Sequence, residues 1–134
     1  MKRRKIRSLS VSEIGMGCMG FSHGYGQVPG AGYAEEAIRE AFGYGCNFFD
    51  TAEGYGKELY YPGHNEEIVG RAVRGFRNEV VIATKLHIRP EAVEDCGSVY
   101  AAIRRHLERS LKNLQTDNVD LYYLHRINME VDYL

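Results

Sequence analysis

Apolar residues along this chain follow two rhythms. Three short runs, Asn47–Asp50, Val80–Lys85 and Val119–Leu124, read as strands. Between and before them the spacing lengthens to that of a helix. One stripe is Ala34, Ala37, Ile38, Ala41 and Phe42; a second is Ile68, Val69, Ala72, Val73 and Phe76; a third is Val99, Ile103, Leu107, Leu111 and Leu114. These predict helices over 34–44, from near Asn65, and from Ser98 to about Asn113. Asn65 and Ser98 suit N-caps, and Glu35 and Glu36 suit the first turn of the first helix. Gly45 suits that helix's end. Upstream, residues 2–14 form a basic, β-prone lead-in, and Val11–Ile14 alternates into Gly15-Met16-Gly17, a first short strand of the main sheet. Phe21–Gly32 is broken by Gly and Pro29 and reads as loop. The stretch from Thr51 to His64 is a long loop carrying Tyr55, Tyr60 and Tyr61; loops of that length in a compact domain are usually functional. The tail from Arg126 to Leu134 is too short for another unit.

The order β-α-β-α-β-α-β implies an α/β fold with a parallel sheet and right-handed crossovers. Four parallel strands in sequential order are expected, with three helices on one side and the β lead-in at the amino-terminal end. The inner face around Val80–Thr84 is expected to meet water.

Composition narrows the class. A chain of 134 residues, 44% hydrophobic and 26% charged, can bury a core and is globular. A net charge of −1 gives no pull toward nucleic acid or anionic lipid. The cluster Lys2-Arg3-Arg4-Lys5 with Arg7 reads as a solvated segment. No apolar run reaches signal-peptide or membrane-span length, so no membrane partner is expected. Cys18, Cys46 and Cys96 form no Cys-x-x-Cys pair and no zinc spacing, which suits a reducing cytoplasm.

Each of the three apolar runs ends in a reactive group: Asp50, Lys85 and His125, with Tyr55 in the loop after the first. The intervals, 35 and 40 residues, are each one βα unit plus its loop. In a parallel sheet the carboxyl ends share one side, where ligands bind. A phenol ordinarily ionises near pH ~10. An ammonium about 4 Å away, at an effective dielectric near 20, favours its anion by up to about three units as a generous limit. Such a phenol can exchange a proton with a carbonyl oxygen, with Asp50 orienting Lys85 and His125 orienting the substrate. No metal is needed, and a hydride would come from a cofactor. Taken singly, Asp50 reads equally well as a turn residue, Lys85 as a strand-end lysine and His125 as a satisfied half-buried histidine. Their common spacing is what argues for a site. A competing reading is a dinucleotide-binding fold, because Gly15-Met16-Gly17-Cys18-Met19-Gly20 spells G-x-G-x-x-G. That motif has to open a helix at once, with an acid about 20 residues on. Here a Gly/Pro loop intervenes, and Asp50 lies 30 beyond Gly20. A third reading is a non-catalytic half-barrel that binds a partner or persists as a remnant.

Asn47-Phe-Phe-Asp-Thr-Ala-Glu-Gly-Tyr-Gly resembles the Asp-Thr-Ala…Tyr-Gly signature of the aldo-keto reductases. His64-Asn-Glu-Glu-Ile-Val-Gly, Val81-Ile-Ala-Thr-Lys85, and Leu107–Lys112 with Val119–Arg126 are similar to that family's later segments. The resemblance implies a (β/α)8 barrel of typically about 250 residues, of which residues 1–134 form one partial, truncated domain. It implies NADPH (NADH not excluded) and an aldehyde or ketone as small-molecule substrate, reduced to an alcohol. It assigns the tetrad to Asp50, Tyr55 as acid, Lys85 and His125, and the cofactor side to Gly17, Cys18 and Met19 with Asp50. The loop Gly20–Gly26 suggests the broad bacterial branch. Four of eight strands imply a weak or inactive reductase alone, and self-association through open sheet edges.

Overall fold

The computed structural model describes residues 1–134. The lead-in folds as a hairpin, β1 (Arg3–Ile6) against β2 (Leu9–Ser12), antiparallel with Arg3 opposite Ser12 and Ile6 opposite Leu9. Four parallel strands follow in sequential order: β3 (Met16–Gly17), β4 (Phe48–Asp50), β5 (Val81–Leu86) and β6 (Leu121–Leu124). Helices α1 (Ala31–Gly43), α2 (His64–Val73), α3 (Pro90–Cys96) and α4 (Val99–Leu114) fill the connections.

The two-residue period of a strand sorts the sheet's side chains. Phe49 and Ile82 are register partners and point to the helix side. There they are fully buried with Ile38 of α1, Ile68, Val69 and Val73 of α2, and Leu114 of α4. Asp50 stands opposite Ala83, so Asp50, Ala83 and, two residues on, Lys85 share the other face. The face of the sheet that packs is thus set by the same alternation that sets the face that reacts. At the amino-terminal end, Asn47 ties the hairpin down. Its Oδ1 accepts from the Ser12 N–H at 2.6 Å, its N–H donates to Ser12 Oγ at 3.0 Å, and its Nδ2 donates to the Ser10 carbonyl at 2.9 Å.

Several expectations are corrected. Helix α1 begins three residues early, at Ala31, which leaves Glu35 and Glu36 beyond its first turn. Asn65 does not cap α2. The cap is Gly63, at φ 93, and Asn65 is fully buried inside the helix. Ser98 does cap α4, accepting from the Ala101 N–H at 3.1 Å. The stripe of α4 is centred on Ala102, Ser110 and Leu114, while Val99, Ile103, Leu107 and Leu111 flank it half-buried. Helix α3 is an addition. It has seven residues, too few to show a stripe, and is bounded by Pro90 in its first turn and Gly97 at φ 83. The inner face at β5 is not wet. Val81 and Ala83 are 6% and 0% exposed, flanked in register by Phe48 and Leu121. Exposure falls instead on β6, where Tyr123 and Leu124 are 44% and 39% exposed. Finally, the G-x-G-x-x-G stretch opens only one turn of 3-10 helix, Met19–Phe21, and no α-helix starts before Ala31. Gly15 is there for packing, since a Cβ would lie 2.8 Å from the Phe48 ring.

Candidate active site

Strands β4 and β5 deliver Asp50 and Lys85 side by side. Lys85 Nζ donates to Asp50 Oδ1 at 2.5 Å, to the Thr51 carbonyl at 2.8 Å and to Tyr55 Oη at 3.1 Å. An ammonium has three N–H bonds, and all three are used. The phenol oxygen is therefore an acceptor toward Lys85, and its own proton is left to point elsewhere. The ammonium also lies 4.8 Å from the Tyr55 ring centroid. His125 follows β6 directly, and its N–H donates to the Leu86 carbonyl at 2.8 Å. Its ring meets that of Tyr55 edge-on, centroids 5.4 Å apart at 84°. Burial holds the imidazole below the usual histidine range, and the nearby Lys85, Arg126 and His87 push the same way against Asp50. A neutral His125 has an N–H to offer an oxygen without adding a charge.

Tyr55 and His125 line one cavity of about 340 Å³, together with Met19 and Arg126. A second, of about 440 Å³, lies toward the other end of the sheet between the hairpin and β3, and Gly17 and Asp50 border it. The four residues Asp50, Tyr55, Lys85 and His125 are thus brought together at the carboxyl ends of the strands. Gly17 and Met19 lie beside them: a Cβ at Gly17 would meet nothing within 4 Å. The side chain of Cys18 is elsewhere. It is fully buried in the core, and burial, with Asp50 and Cys46 nearby, pushes its thiol up to about 12. Cys18 therefore faces any ligand only through its backbone, whose N–H already donates to the Asp50 carbonyl at 2.8 Å.

A buried polar web supports these groups, and most of it is not foreseen from the sequence. Thr51 Oγ1 donates to Asn65 Oδ1 at 2.7 Å, and Asn65 Nδ2 donates to the Cys18 carbonyl and to Ser22 Oγ, each at 2.8 Å. Ser22 Oγ also forms a hydrogen bond of 2.8 Å with His64 Nδ1. One side chain, Asn65, thus joins the Tyr55 loop to the Cys18–Ser22 turn. On the other flank, Glu53 accepts from the His87 N–H at 2.9 Å and meets His106 Nδ1 at 2.8 Å, stapling the Tyr55 loop to α4. His106 stands within an otherwise apolar helix face, a signal that the sequence does carry. Behind β5, the buried Glu66 accepts from Thr84 Oγ1 at 2.6 Å and Asn113 Nδ2 at 2.9 Å. Burial raises its carboxyl pKa against the pull of those two donors.

Comparison with known proteins bears on the family and the fold. The family model for the Aldo/keto reductase family matches residues 13–134. An uncharacterized oxidoreductase, YqkF, of Bacillus subtilis is 37% identical over 134 residues, which is 93% of this chain and 39% of that protein. The holo form of aldo-keto reductase AKR11C1 from Bacillus halodurans superposes with a TM-score of 0.76 at 33% identity, over 97% of this chain and 42% of that one. An aldo-keto reductase from Klebsiella pneumoniae, solved in complex with NADPH, gives 0.72 at 32% identity, over 96% and 42%. The chain thus spans about two fifths of the length of the relatives it matches. With a family model running from the end of the hairpin to the last residue, and barrel strands in the same order as solved members, the chain belongs to the aldo/keto reductase family.

Proposed function

We propose that the site reduces an aldehyde or ketone to an alcohol, with Tyr55 giving the proton. The observation that carries this is the triple donation from Lys85 Nζ to Asp50, Thr51 and Tyr55. It turns the Tyr55 oxygen toward a cation and frees the phenolic proton. When that proton leaves, the ammonium 3.1 Å away stabilises the phenolate that remains. Asp50 and the Thr51 carbonyl hold the ammonium in place. The His125 ring, edge-on to Tyr55, orients the carbonyl oxygen by hydrogen bonding.

The donor set has no redox group of its own, and it fits a nicotinamide partner. Tyr55 supplies a proton, Met19 lines the cavity beside it, and a Cβ at Gly17 would meet nothing within 4 Å. NADPH, the ligand named for the Klebsiella relative, would be held there by the Gly17–Met19 backbone and Asp50, and supplies hydride to the carbonyl carbon when bound. Three free cysteines suit a reducing compartment such as the cytoplasm. The exposed Tyr123 and Leu124 on edge strand β6 favour self-association, measurable by sedimentation.

The test is carbonyl-dependent oxidation of NADPH followed at 340 nm, a wavelength of roughly the reduced nicotinamide band, for the native chain and Tyr55→Phe. Oxidation that Tyr55→Phe abolishes supports the reading. Equal rates in both would mean that the proton comes from another group.

A further inference from the structure

We propose that the cavity beside Tyr55 takes carbonyl compounds that also carry an anionic group, a carboxylate or phosphate, and that Arg126 binds that group. The inference rests on the carbonyl-reduction reading above and names its substrate class.

The lining argues for it first. The cavity of about 340 Å³ has nine lining residues, only two of them hydrophobic. Pockets for small neutral ligands are lined predominantly by apolar and aromatic groups. A hydrocarbon substrate would find little here to bury against.

The charges argue for it next. Lys57, Arg126 and Glu58 are the lining residues of fixed charge. Glu58 is already shared, 3.9 Å from Lys57 Nζ and 3.8 Å from His23 Nδ1. Arg126 makes neither a side-chain hydrogen bond nor an ion pair within 4.0 Å. It is the cation of this cavity with its donors uncommitted. Asp50 is engaged by Lys85 and does not compete.

The charges around His125 point the same way. After burial, the groups that disfavour its charged form are Lys85, Arg126 and His87, with Asp50 alone opposing. Positive potential therefore converges where the carbonyl oxygen would sit. Arg126 follows His125 in the chain, so a ligand held between Tyr55 and Arg126 is short. The planar guanidinium fork matches carboxylate and phosphate oxygens two at a time.

The experiment titrates the 134-residue protein with 5-oxopentanoate and with its methyl ester, following the His125 ring protons by NMR. The acid is expected to bind about 10–100-fold more tightly than the ester, the range of one charge-assisted pair. Arg126→Leu should erase that difference, and Arg126→Lys should keep part of it. Arg126 is exposed, so neither variant threatens the fold. Equal affinity for acid and ester, no saturable binding of the acid, or a preference that survives Arg126→Leu overturns the proposal. NADPH oxidation with the methyl ester separates the two readings. Turnover without acid preference removes the anion site and leaves the reduction standing. An Arg126-dependent preference without turnover of either compound does the reverse.

Discussion

Two ion pairs sit at opposite ends of the same sheet, similarly shielded and differently built. At the amino-terminal end, Arg77 meets Asp120 at 3.0 Å, their side chains 14% and 18% exposed. At the carboxyl end, Lys85 meets Asp50 at 2.5 Å, at 15% and 35%. Arg77 spends four of its five N–H bonds on acceptors that stay as they are: Thr116 Oγ1, the carbonyls of Val80 and Asn118, and the Asp120 carboxylate. Asp120 also accepts the Ile82 N–H, so that pair seals the ends of β5 and β6. Lys85 spends one of its donors on Tyr55, a group with a proton to give. The first pair finishes a structure; the second leaves one member able to change state. The cations are equally shielded, and burial separates the pairs only at the carboxylate, 18% against 35% exposed. The clearer difference is the identity of the third partner.

Replacing each cation by an apolar residue of similar length breaks the comparison most sharply. Lys85→Met should cut carbonyl reduction by about 10²–10⁴-fold, the usual range for disabling acid–base catalysis. Its melting temperature should hardly move, because Asp50 at 35% side-chain exposure regains water. Arg77→Met should do the opposite. It strands a mostly shielded Asp120 and frees two carbonyls, at a cost of about 2–3 kcal/mol, below the range for a fully buried pair because both partners keep some solvent. Urea melts and steady-state rates on both variants check this. If Arg77→Met lost activity per folded molecule as steeply as Lys85→Met, the two ends would not be distinct in function.

The same comparison shows what a sequence discloses. Asp50, Lys85 and His125 are legible because strands have a period of two and βα units a nearly constant length. Those regularities place all three at one end before any contact is known. Asn65 is not legible as a bridge. Asn before Glu-Glu reads as a cap, and only the three-dimensional approach of Cys18, Ser22 and Thr51 explains why the helix begins earlier and takes its amide inside. The placement of the Cys18 side chain is hidden for a related reason. A residue between Gly17 and Gly20 looks open in a string of letters, yet just past β3 its thiol is buried in the core. Val81 and Ala83 are dry with Phe48 and Leu121 beside them in register, a property of the sheet rather than of β5 alone. The seven residues of α3 hold too little pattern to register at all.

Asn65 permits a finer cut between support and chemistry. Asn65→Leu removes one hydrogen bond to Thr51 and two into the Cys18–Ser22 turn. It leaves the buried Thr51 hydroxyl without a partner and the Cys18 carbonyl with only the Phe21 N–H, 3.0 Å away. The expected loss is about 1–3 kcal/mol, the usual desolvation cost of a group orphaned this way. The Tyr55–Lys85 contact is untouched by the change, so NADPH affinity should weaken more than the rate at saturation. Fluorescence titration and kcat measured side by side test that split. A fall in kcat with unchanged affinity would show that Asn65 acts through Tyr55 instead.

The smallest effect is a dependence on pH, and it isolates the far end of that web. Ser22 Oγ and His64 Nδ1 are 2.8 Å apart, and we predict that Ser22 donates to a neutral ring with its hydrogen on Nε2. Burial lowers its pKa, with Arg71 adding to the shift and Glu67 resisting it. Tyr60 stacks on the ring at 3.9 Å and Tyr61 meets it edge-on at 5.4 Å, so the groups facing it add no further full charge. The sign follows from linkage. Above the unfolded histidine value of about 6.5 the ring is neutral in both states and the stability is fully present. As the pH falls below that value the unfolded chain takes up the proton more readily, and stability is lost down through the folded pKa. His125 is shifted in the same direction and adds to the slope. The urea midpoint should therefore be flat from pH 8 to about 7 and should fall between about 6.5 and 5. His64→Gln should remove part of that fall, and His64→Gln with His125→Gln most of it. Ring 15N shifts should report the Nε2–H form of His64 at neutral pH. A His64 that titrates at or above 6.5, or carries its proton on Nδ1, would mean that the Ser22 hydroxyl points elsewhere and that the web ends at Asn65.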